Sequence, residues 1–235
     1  MTTQEQFDRG ADRYDLMVGL NPGYHDELRR AAEALAERLD RYVRVVDLAC
    51  GSGASTRAVC DAFPEAQVLG LDQSPGMLRR ARLKGWPLRV RFAEASAGDL
   101  DVDAWGRAYH HGVFTAYLFR NVPVDQRDAA VREAYDLLQP GGWMVVQDYS
   151  VADSAWARLR WTLVCWLIII PLGATLGRNG ALYRYLWRSV LDHDSLATFG
   201  DRLARAGFDR IAHRTGRGWH RGILHTFIAH KPEEG

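Results

Sequence analysis

Two acids and a loop of small residues carry the first chemical signal in this sequence. Asp47 ends the β-branched run 43–48, and the loop 49–53, A-C-G-S-G, follows it. This pattern predicts a buried strand, a tight turn and a helix that begins near residue 54. Glycine lets the backbone of such a turn come close to a ligand, and the helix start offers unpaired N–H groups and partial positive charge. The stretch therefore predicts a ligand site at this turn.

The second acid narrows the ligand. Asp72 ends the apolar run 67–72, about 20 residues beyond the glycines, where an acid that binds ribose hydroxyls belongs in such folds. A carboxylate at this place suits the vicinal diol of NAD or of S-adenosylmethionine (SAM). A dinucleotide fingerprint needs a third glycine, but Thr56 stands at its position. An NAD-dependent oxidoreductase is therefore the less favoured class.

The glycine loop and the segment that starts at Asp72 resemble class I SAM-dependent methyltransferases. The loop has the D-x-A-x-G-x-G pattern of that class, and D-Q-S-P-G-M-L at 72–78 is similar to its D-x-S-x-x-M-L, whose helix covers the adenine. The resemblance implies SAM as the cofactor and S-adenosylhomocysteine as the product. No metal is expected, because the acids and cysteines lack metal-ligand spacing.

Composition sets the remaining limits. The chain has 235 residues and a net charge of +1, which suffices for one domain and gives no basic field to recruit nucleic acid. Its three cysteines, Cys50, Cys60 and Cys165, form neither a disulfide framework nor a zinc site by their spacing. The polar N-terminus lacks an apolar signal core. These features favour a cytoplasmic enzyme.

The predicted elements alternate between strands and helices. Strands are predicted at 43–48, 67–71, 88–93, 109–119, from 143, 209–215 and 222–230, and helices at 6–14, 25–39, 54–63, 75–84, 125–138, 181–191 and 195–206. The expected fold is α/β: a Rossmann-like class I methyltransferase with a seven-stranded, mostly parallel sheet, an antiparallel C-terminal strand, helices on both faces and a helical lid. Residues 1–40 form the predicted N-terminal helical lid. Residues 41–235 form the SAM-binding domain, with an apolar helical insert at about 153–192.

Further segments narrow the resemblance to one family. L-L-Q-P-G-G at 137–142, followed by an apolar strand, is widespread among class I methyltransferases. The segments that resemble the UbiE/MenG family of ubiquinone and menaquinone C-methyltransferases are F-R-N-V at 119–122, Q-D-Y-S at 147–150, Y-D-L-M at 14–17, Y-R-Y-L at 183–186 with Ser189, and A-G-F at 206–208. The R-N-V and Y-R-Y-L pieces are the most discriminating of these.

The sequence departs from that family near the expected acceptor site. Tyr14 and His25 are one residue closer together than the family's tyrosine and histidine. Ala116 stands where the family has a polar residue, and Y-L follows it where the family has F-G. The loop 96–111 replaces the family's L-P-F-x-D-x-x-F-D. The acceptor is therefore left open: an O- or N-methyltransferase of a soluble secondary metabolite and a non-catalytic SAM-binding module remain alternatives to quinol C-methylation.

The predicted cofactor contacts follow from the glycine loop, the two acids and the third strand. Asp47 is expected to orient the ammonium group of SAM, Asp72 to hold the ribose diol, and Glu94 to accept from the adenine amine. Thr56 is included because the family resemblance implies it. The full predicted set is Asp47, Ala49, Gly51, Gly53, Thr56, Asp72, Gln73, Met77, Glu94, Ala95 and Ala116.

Histidines are the candidate bases. C-methylation of an electron-rich ring requires a phenol or hydroquinone to lose its proton, and histidine titrates near neutral pH. The candidates are His25, which the family resemblance favours, and His110 and His111, which lie on the predicted fourth strand. The residues predicted to line the pocket of the small-molecule acceptor are Tyr14, Tyr117, Arg120 and Tyr185.

The run 161–177, W-T-L-V-C-W-L-I-I-I-P-L-G-A-T-L-G, carries no formal charge. It is close to the minimum length for spanning a bilayer, and Pro171 with two glycines is expected to break its second half. Three interpretations stay open: a helix or helix pair over the site, an apolar lid that holds a lipophilic acceptor or contacts a membrane surface, and a transmembrane helix. Arg158, Arg160 and Arg178 flank the run and would suit lipid headgroups or a diphosphate. Peripheral membrane contact and a homodimer are both left open.

Overall fold

The computed structural model describes residue 19 and residues 21–175 and 180–233. The predicted helix 6–14, the segment Y-D-L-M at 14–17 and Arg178 lie outside the described residues. Tyr14 therefore has no place in the structural account that follows.

Seven strands form one sheet. They are Arg44–Leu48 (β1), Gln67–Asp72 (β2), Val90–Glu94 (β3), His110–Ala116 (β4), Leu138–Tyr149 (β5), Asp209–Thr215 (β6) and Leu224–His230 (β7). Their spatial order is β3-β2-β1-β4-β5-β7-β6. β1 to β5 pair in parallel, and β7 runs antiparallel to both β5 and β6. The mostly parallel seven-stranded sheet with an antiparallel C-terminal strand is therefore confirmed.

Helices connect the strands. They are Tyr24–Ala36 (α1), Ala54–Ala62 (α2), Pro75–Arg82 (α3), Val102–Trp105 (α4), Arg127–Leu137 (α5), Ala155–Thr175 (α6), Gly180–Leu191 (α7) and Leu196–Ala206 (α8). Serine side chains cap three of these helices at their N-termini. Ser74 accepts from the amide of Met77, Ser154 from that of Ala157 and Ser195 from that of Thr198. Each cap satisfies an amide that the first helical turn leaves without a partner.

Both faces of the sheet are covered. The alternation of side chains along β1 shows this: Val45 packs in the cluster under α1 and α2, whereas Val46 and Leu48 pack in the cluster under α5 and α8. On α1, the buried side chains include Leu28 and Leu35. This helix therefore shares the core of the sheet, and the division of the chain at residue 40 stays a prediction.

Two strand boundaries differ from the sequence prediction. β4 ends at Ala116 and not at residue 119, because Tyr117 has a φ of 63°, which turns the chain out of the extended conformation. β5 begins at Leu138 and not at residue 143. The P-G-G segment fits inside this strand because Gly141 adopts a φ of 76° and the register opposite it in β4 shifts.

The expected break of the apolar run at Pro171 is wrong. The helix α6 continues from Ala155 to Thr175 through the proline. A π-helical turn, Cys165–Ile169, ends two residues before Pro171. We attribute the continuity to this wider turn, because local π geometry relieves the hydrogen bond and the space that a proline denies to an α-helix. α6 and α7 lie side by side, as the predicted helix pair requires.

Candidate active site

The glycine loop lies at the carboxyl end of β1, in a conformation that explains its composition. Ala49, Gly51 and Gly53 all have positive φ values, of 64°, 54° and 91°. Gly53 has a second constraint, since a Cβ there would lie 2.8 Å from the ring of Trp86. In parallel α/β sheets, ligands bind outside the carboxyl ends of the strands, so this loop faces the usual site.

Asp72 holds the same loop from the end of β2. Its Oδ2 accepts from the amide of Gly51 at 2.8 Å, and its Oδ1 accepts from the amide of Ser74 at 2.8 Å. The carboxylate also lines a cavity of about 320 Å³ at this edge of the sheet. Asp72 thus stands where a carboxylate that accepts from the ribose hydroxyls of a nucleotide is expected.

Seven of the predicted cofactor contacts line this cofactor cavity. They are Ala49, Gly51, Asp72, Gln73, Met77, Ala95 and Ala116. The cavity offers a carboxylate for a diol, loop backbone for a close approach, and the apolar side chain of Met77 for a planar base. This donor set fits SAM. The lining also includes Ser96, Leu118, Asn121 and Gln126, which the sequence did not predict as cofactor contacts. Asn121 and Gln126 fall in the F-R-N-V segment and the predicted helix 125–138, but nothing in their spacing marks them as residues that bind a cofactor.

Four predicted cofactor contacts do not line that cavity. Asp47 is fully buried beneath the loop, where its Oδ2 accepts from the hydroxyls of Ser55 at 2.8 Å and Thr56 at 2.6 Å. Asp47 therefore fastens the first turn of α2 to β1, and this geometry does not support the predicted contact with an ammonium group. Thr56 is buried with it, Gly53 packs on Trp86, and Glu94 is exposed at the end of β3.

Burial changes the titration of Asp47. Desolvation raises the pKa of this carboxyl from its ordinary value near 3.8 to about 7, and the hydrogen bonds from Thr56 and Ser55 oppose the rise. Its Oδ1 has no hydrogen-bond partner among the described residues. The ionisation of Asp47 is therefore expected to affect the stability of the glycine loop.

A second cavity of about 410 Å³ adjoins the first, and aromatic side chains dominate its walls. Tyr24, Tyr117, Tyr149 and Trp161 form a continuous stack across it, with ring centroids 5.2, 5.2 and 5.3 Å apart. Other walls come from α6 and α7, including Cys165, Ile169, Tyr183, Leu186 and Trp187. The predicted pocket residue Tyr185 is not among the lining residues; its neighbours Tyr183 and Leu186 are. We call this second space the aromatic cavity.

Tyr117 and Arg120 line both cavities. The strained φ of Tyr117 places its ring at their junction, and its hydroxyl donates to Gln147 at 3.3 Å. The buried guanidinium of Arg120 forms an ion pair with Asp148 at 3.1 Å and donates to the Ser189 hydroxyl at 3.0 Å. A ligand in either cavity therefore meets the same tyrosine and the same cation.

His110 and His111 lie at the opposite end of the sheet from the cofactor cavity. His110 and His111 begin β4, so most of that strand separates them from Ala116 at the cavity. His110 is buried against the carbonyl of Trp105 at 2.8 Å, and the Nδ1 of His111 accepts from the amide of Arg44 at 3.1 Å. Parallel strands gather ligands at their carboxyl ends, so this placement rules against His110 and His111 as bases in either cavity.

His25 lies at the start of α1 and is exposed, and the centroid of its ring is 5.3 Å from that of Tyr24 in an edge-to-face arrangement. It is not a lining residue of the aromatic cavity, although Tyr24 is. The structure therefore shows no contact of His25 with the aromatic cavity, and its role as a base stays a prediction.

The sequence did not single out His220. The centroid of its ring lies 4.0 Å from that of Trp219, with the two rings tilted by 35°, and 6.1 Å from that of Tyr149, behind the wall of the aromatic cavity. Burial lowers its pKa, and its Nε2 has no hydrogen-bond partner in the part of the chain that the structure describes. Its sequence position, between two strands, carries no signal for this placement. Among the described residues, no cluster of His, Cys, Asp or Glu could hold a metal ion.

Comparison with known proteins finds methyltransferases similar to this chain. Residues 45–142 match a family of methyltransferase domains. The ubiquinone/menaquinone biosynthesis C-methyltransferase UbiE of Syntrophotalea carbinolica is 30% identical over 90% of this chain and 88% of its own length. The demethylmenaquinone methyltransferase of Thermus thermophilus is 31% identical over 86% of this chain and 90% of its own length.

Solved structures share the fold. Phosphoethanolamine N-methyltransferase 2 of Haemonchus contortus, in complex with SAM, superposes with a TM-score of 0.72 at 17% identity over 99% of this chain. The present chain spans 60% of that chain's length. A SAM-dependent methyltransferase of Mesorhizobium loti gives a TM-score of 0.61 at 22% identity, over 87% of this chain and all of its own.

The fold, the cofactor cavity and the full-length relatives lead to one assignment. This protein is a SAM-dependent methyltransferase, and its chain belongs to the UbiE/MenG family.

Proposed function

We propose that this enzyme transfers the methyl group of SAM to a ring carbon of a lipophilic, quinol-like aromatic acceptor. The observation that carries the proposal is the aromatic cavity, which meets the cofactor cavity at Tyr117 and Arg120. Its stacked side chains suit a planar ring, and the apolar residues of α6 suit a hydrocarbon substituent on that ring. The curated relatives whose names specify menaquinone or ubiquinone precursors support the same acceptor class.

Charge at the junction supports attack by carbon. SAM supplies an electrophilic methyl group. A quinol ring attacks through carbon when its hydroxyl is deprotonated, which places negative charge on the ring oxygen. The new carbon–methyl bond replaces the sulfonium–methyl bond, S-adenosylhomocysteine is released, and the ring carbon then loses its hydrogen as a proton, which restores the aromatic quinol. The guanidinium of Arg120 lies at the wall shared by the two cavities, where a buried cation stabilises such an oxyanion. Asp148 holds that guanidinium in place through the ion pair at 3.1 Å.

That step also needs a group that accepts the hydroxyl proton. Within the part of the chain that the structure describes, the lining of the aromatic cavity includes neither a histidine nor a carboxylate. His25 stands next to Tyr24 in the chain and is exposed, so it can exchange a proton with solvent. We propose it as the base that receives the quinol proton.

Transfer of labelled methyl from SAM to two acceptor pools tests the proposal. One pool is a demethylmenaquinol in detergent, and the other is a set of small soluble phenols and amines. Label in the quinol fraction, on carbon, is the expected result. Label confined to the soluble pool would contradict it and would identify a rebuilt acceptor pocket.

A matched pair of tryptophan variants on α6 sharpens the test. Trp161 is buried in the wall of the aromatic cavity, whereas Trp156 on the same helix is 68% exposed and lines neither cavity. Trp161→Leu is expected to lower kcat/KM for the quinol by at least about tenfold and to leave the Kd for SAM unchanged. Trp156→Leu is expected to change neither quantity when the quinol is presented in detergent.

A further inference from the structure

The helix α6 is apolar on two opposite sides. One stripe faces the protein and is buried: Ala157, Trp161, Cys165, Ile170 and Gly173. The other stripe faces solvent, and we call it the outer stripe: Trp156, Leu159, Leu163, Trp166, Leu167, Ile168 and Leu172, each between 36% and 72% exposed. A helix that is apolar all round is buried in a protein core or against a membrane, and this one is in the core on one side only.

The outer stripe gathers most of the exposed apolar bulk of the described surface. Outside it, the large apolar side chains exposed in the described residues are scattered singly at Tyr42, Leu83, Leu88, Tyr109 and Val124. Isolated exposed side chains are ordinary, but a contiguous apolar patch marks an interaction surface. Only 28% of the most apolar window of α6 is buried inside the protein.

The charged residues around the outer stripe indicate what kind of surface it binds. Between residues 154 and 191 the sequence has five arginines and no aspartate or glutamate, although the whole chain has a net charge of only +1. Of these arginines, Arg158, Arg184 and Arg188 are exposed on α6 and α7. Arg188 forms an exposed ion pair with Asp192 at 3.5 Å, so the basic character of this surface rests on Arg158 and Arg184. Trp187 links the two features, because its ring packs against that of Trp166 in the outer stripe at 5.6 Å. An apolar stripe with basic side chains and tryptophans at its edge matches a bilayer surface with anionic headgroups.

The aromatic cavity opens at the same stripe. Ile168 and Leu172 line the cavity and are also exposed at the surface, so the outer stripe forms part of the cavity's rim. A bilayer that covered the stripe would lie against this rim.

We propose that α6 docks this protein on the surface of an anionic bilayer, with the outer stripe in the headgroup region and the buried stripe still in the protein core. The helix lies along the surface and does not cross the membrane, because crossing would remove Trp161, Cys165 and Ile170 from the core cluster that they share with β5. Docking does not depend on which acceptor is methylated, so vesicle binding and methyl transfer fail separately.

Flotation with lipid vesicles tests the proposal. The full chain is mixed with phosphatidylcholine vesicles or with vesicles of phosphatidylcholine and phosphatidylglycerol. Binding to the anionic vesicles is expected, with a loss of about fivefold for each of Arg158→Gln and Arg184→Gln and a further loss at high salt. Equal binding to both kinds of vesicle, or no binding to either, would overturn the proposal.

A matched pair of leucine double variants distinguishes vesicle binding by the outer stripe from nonspecific binding through any exposed leucine. Leu163 and Leu167 lie in the outer stripe and line neither cavity, and Leu83 and Leu88 are exposed elsewhere. Leu163→Gln/Leu167→Gln is expected to lose at least about tenfold in vesicle affinity, whereas Leu83→Gln/Leu88→Gln is expected to bind as the wild type does. Circular dichroism and SAM binding confirm that each variant is folded. An equal loss in both double variants would refute the assignment of the stripe.

Two other occupants of the stripe have their own signatures. A second copy of the chain would give a dimer without vesicles that Leu163→Gln/Leu167→Gln converts to monomer, and that result would overturn membrane docking. A membrane-spanning helix would resist extraction from vesicles by alkaline carbonate, and that result would overturn the surface orientation. Release by carbonate of a protein that is monomeric in solution supports the proposal.

Discussion

Asp47→Asn tests the burial of an acid beneath the cofactor loop. The substitution keeps the size of the side chain and an oxygen for the hydroxyls of Ser55 and Thr56, but it removes the ionisation. In the wild type, desolvation raises the pKa of Asp47 to about 7. The folded protein therefore binds a proton there that the unfolded chain has already released, and stability falls as pH rises towards and through the folded pKa.

The size of the effect follows from the two pKa values. Between about pH 5 and about pH 8, a single carboxyl with an unfolded pKa of 3.8 and a folded pKa of about 7 lowers the free energy of unfolding by about 3 kcal/mol. The Asp47→Asn variant does not show this fall in the free energy of unfolding, because its side chain does not ionise. The free energy of unfolding of the variant, measured relative to the wild type, is therefore expected to rise by about that amount over this pH interval.

Urea unfolding at the two pH values, without SAM, measures the difference. Asp61→Asn is the matched control, because Asp61 lies on the same helix α2 and is exposed. It is expected to show little change relative to the wild type. If the difference between Asp47→Asn and the wild type were the same at both pH values, Asp47 would be ionised in the folded protein throughout, and the reasoning from its burial would be refuted.

Two further predictions concern the cofactor loop and the helix pair. Asp72→Asn is expected to weaken SAM binding about 10- to 100-fold in calorimetry, because the carboxylate of Asp72 lines the cofactor cavity. The affinity of Asp47→Asn for SAM is expected to stay within about threefold of that of the wild type. Equal losses of affinity in the two variants would restore Asp47 as a cofactor contact. Gly173→Ala is expected to lower the free energy of unfolding by about 1–3 kcal/mol, because its Cβ would lie 2.0 Å from the Tyr183 ring. The control Gly200→Ala, also inside a helix but with no atom within 4 Å, is expected to stabilise by up to about 1 kcal/mol, and a neutral Gly173→Ala would contradict the close packing of α6 on α7.

Local sequence patterns pointed to the glycine loop and to Asp72, which both line the cofactor cavity. The run before Asp47, the glycines after it and the acid at Asp72 all lie within about 30 residues of one another, and one β-turn-α-β path brings them together. The mostly parallel seven-stranded sheet and its antiparallel last strand also followed from the alternation of elements and the family resemblance, whereas the order of the strands was not predicted. The sequence pattern could not show how deeply each of the two acids is buried. An acid at the end of a buried strand looks the same whether it faces a ligand, as Asp72 does, or lies beneath the loop, as Asp47 does.

The aromatic cavity depends on contacts between distant parts of the chain. Tyr24, Tyr117, Tyr149 and Trp161 come from α1, the turn after β4, the end of β5 and α6, and nothing in their spacing predicts that they stack. The histidine pair was misplaced for a different reason. Strand direction alone puts residues at the start of β4 at the opposite edge of the sheet from the ligand, and the prediction did not apply that rule to His110.

The position shared by Tyr117 and Arg120 has a thermodynamic consequence. Both side chains line the cofactor cavity and the aromatic cavity, so a ligand that fixes them in one cavity also fixes part of the wall of the other. The affinity for SAM and the affinity for the acceptor are therefore linked, because each includes the free energy of fixing Tyr117 and Arg120. By whatever factor the donor changes the affinity for the acceptor, the acceptor changes the affinity for the donor by the same factor. Because the link is reciprocal, departure of either product after transfer changes the affinity for the one that remains.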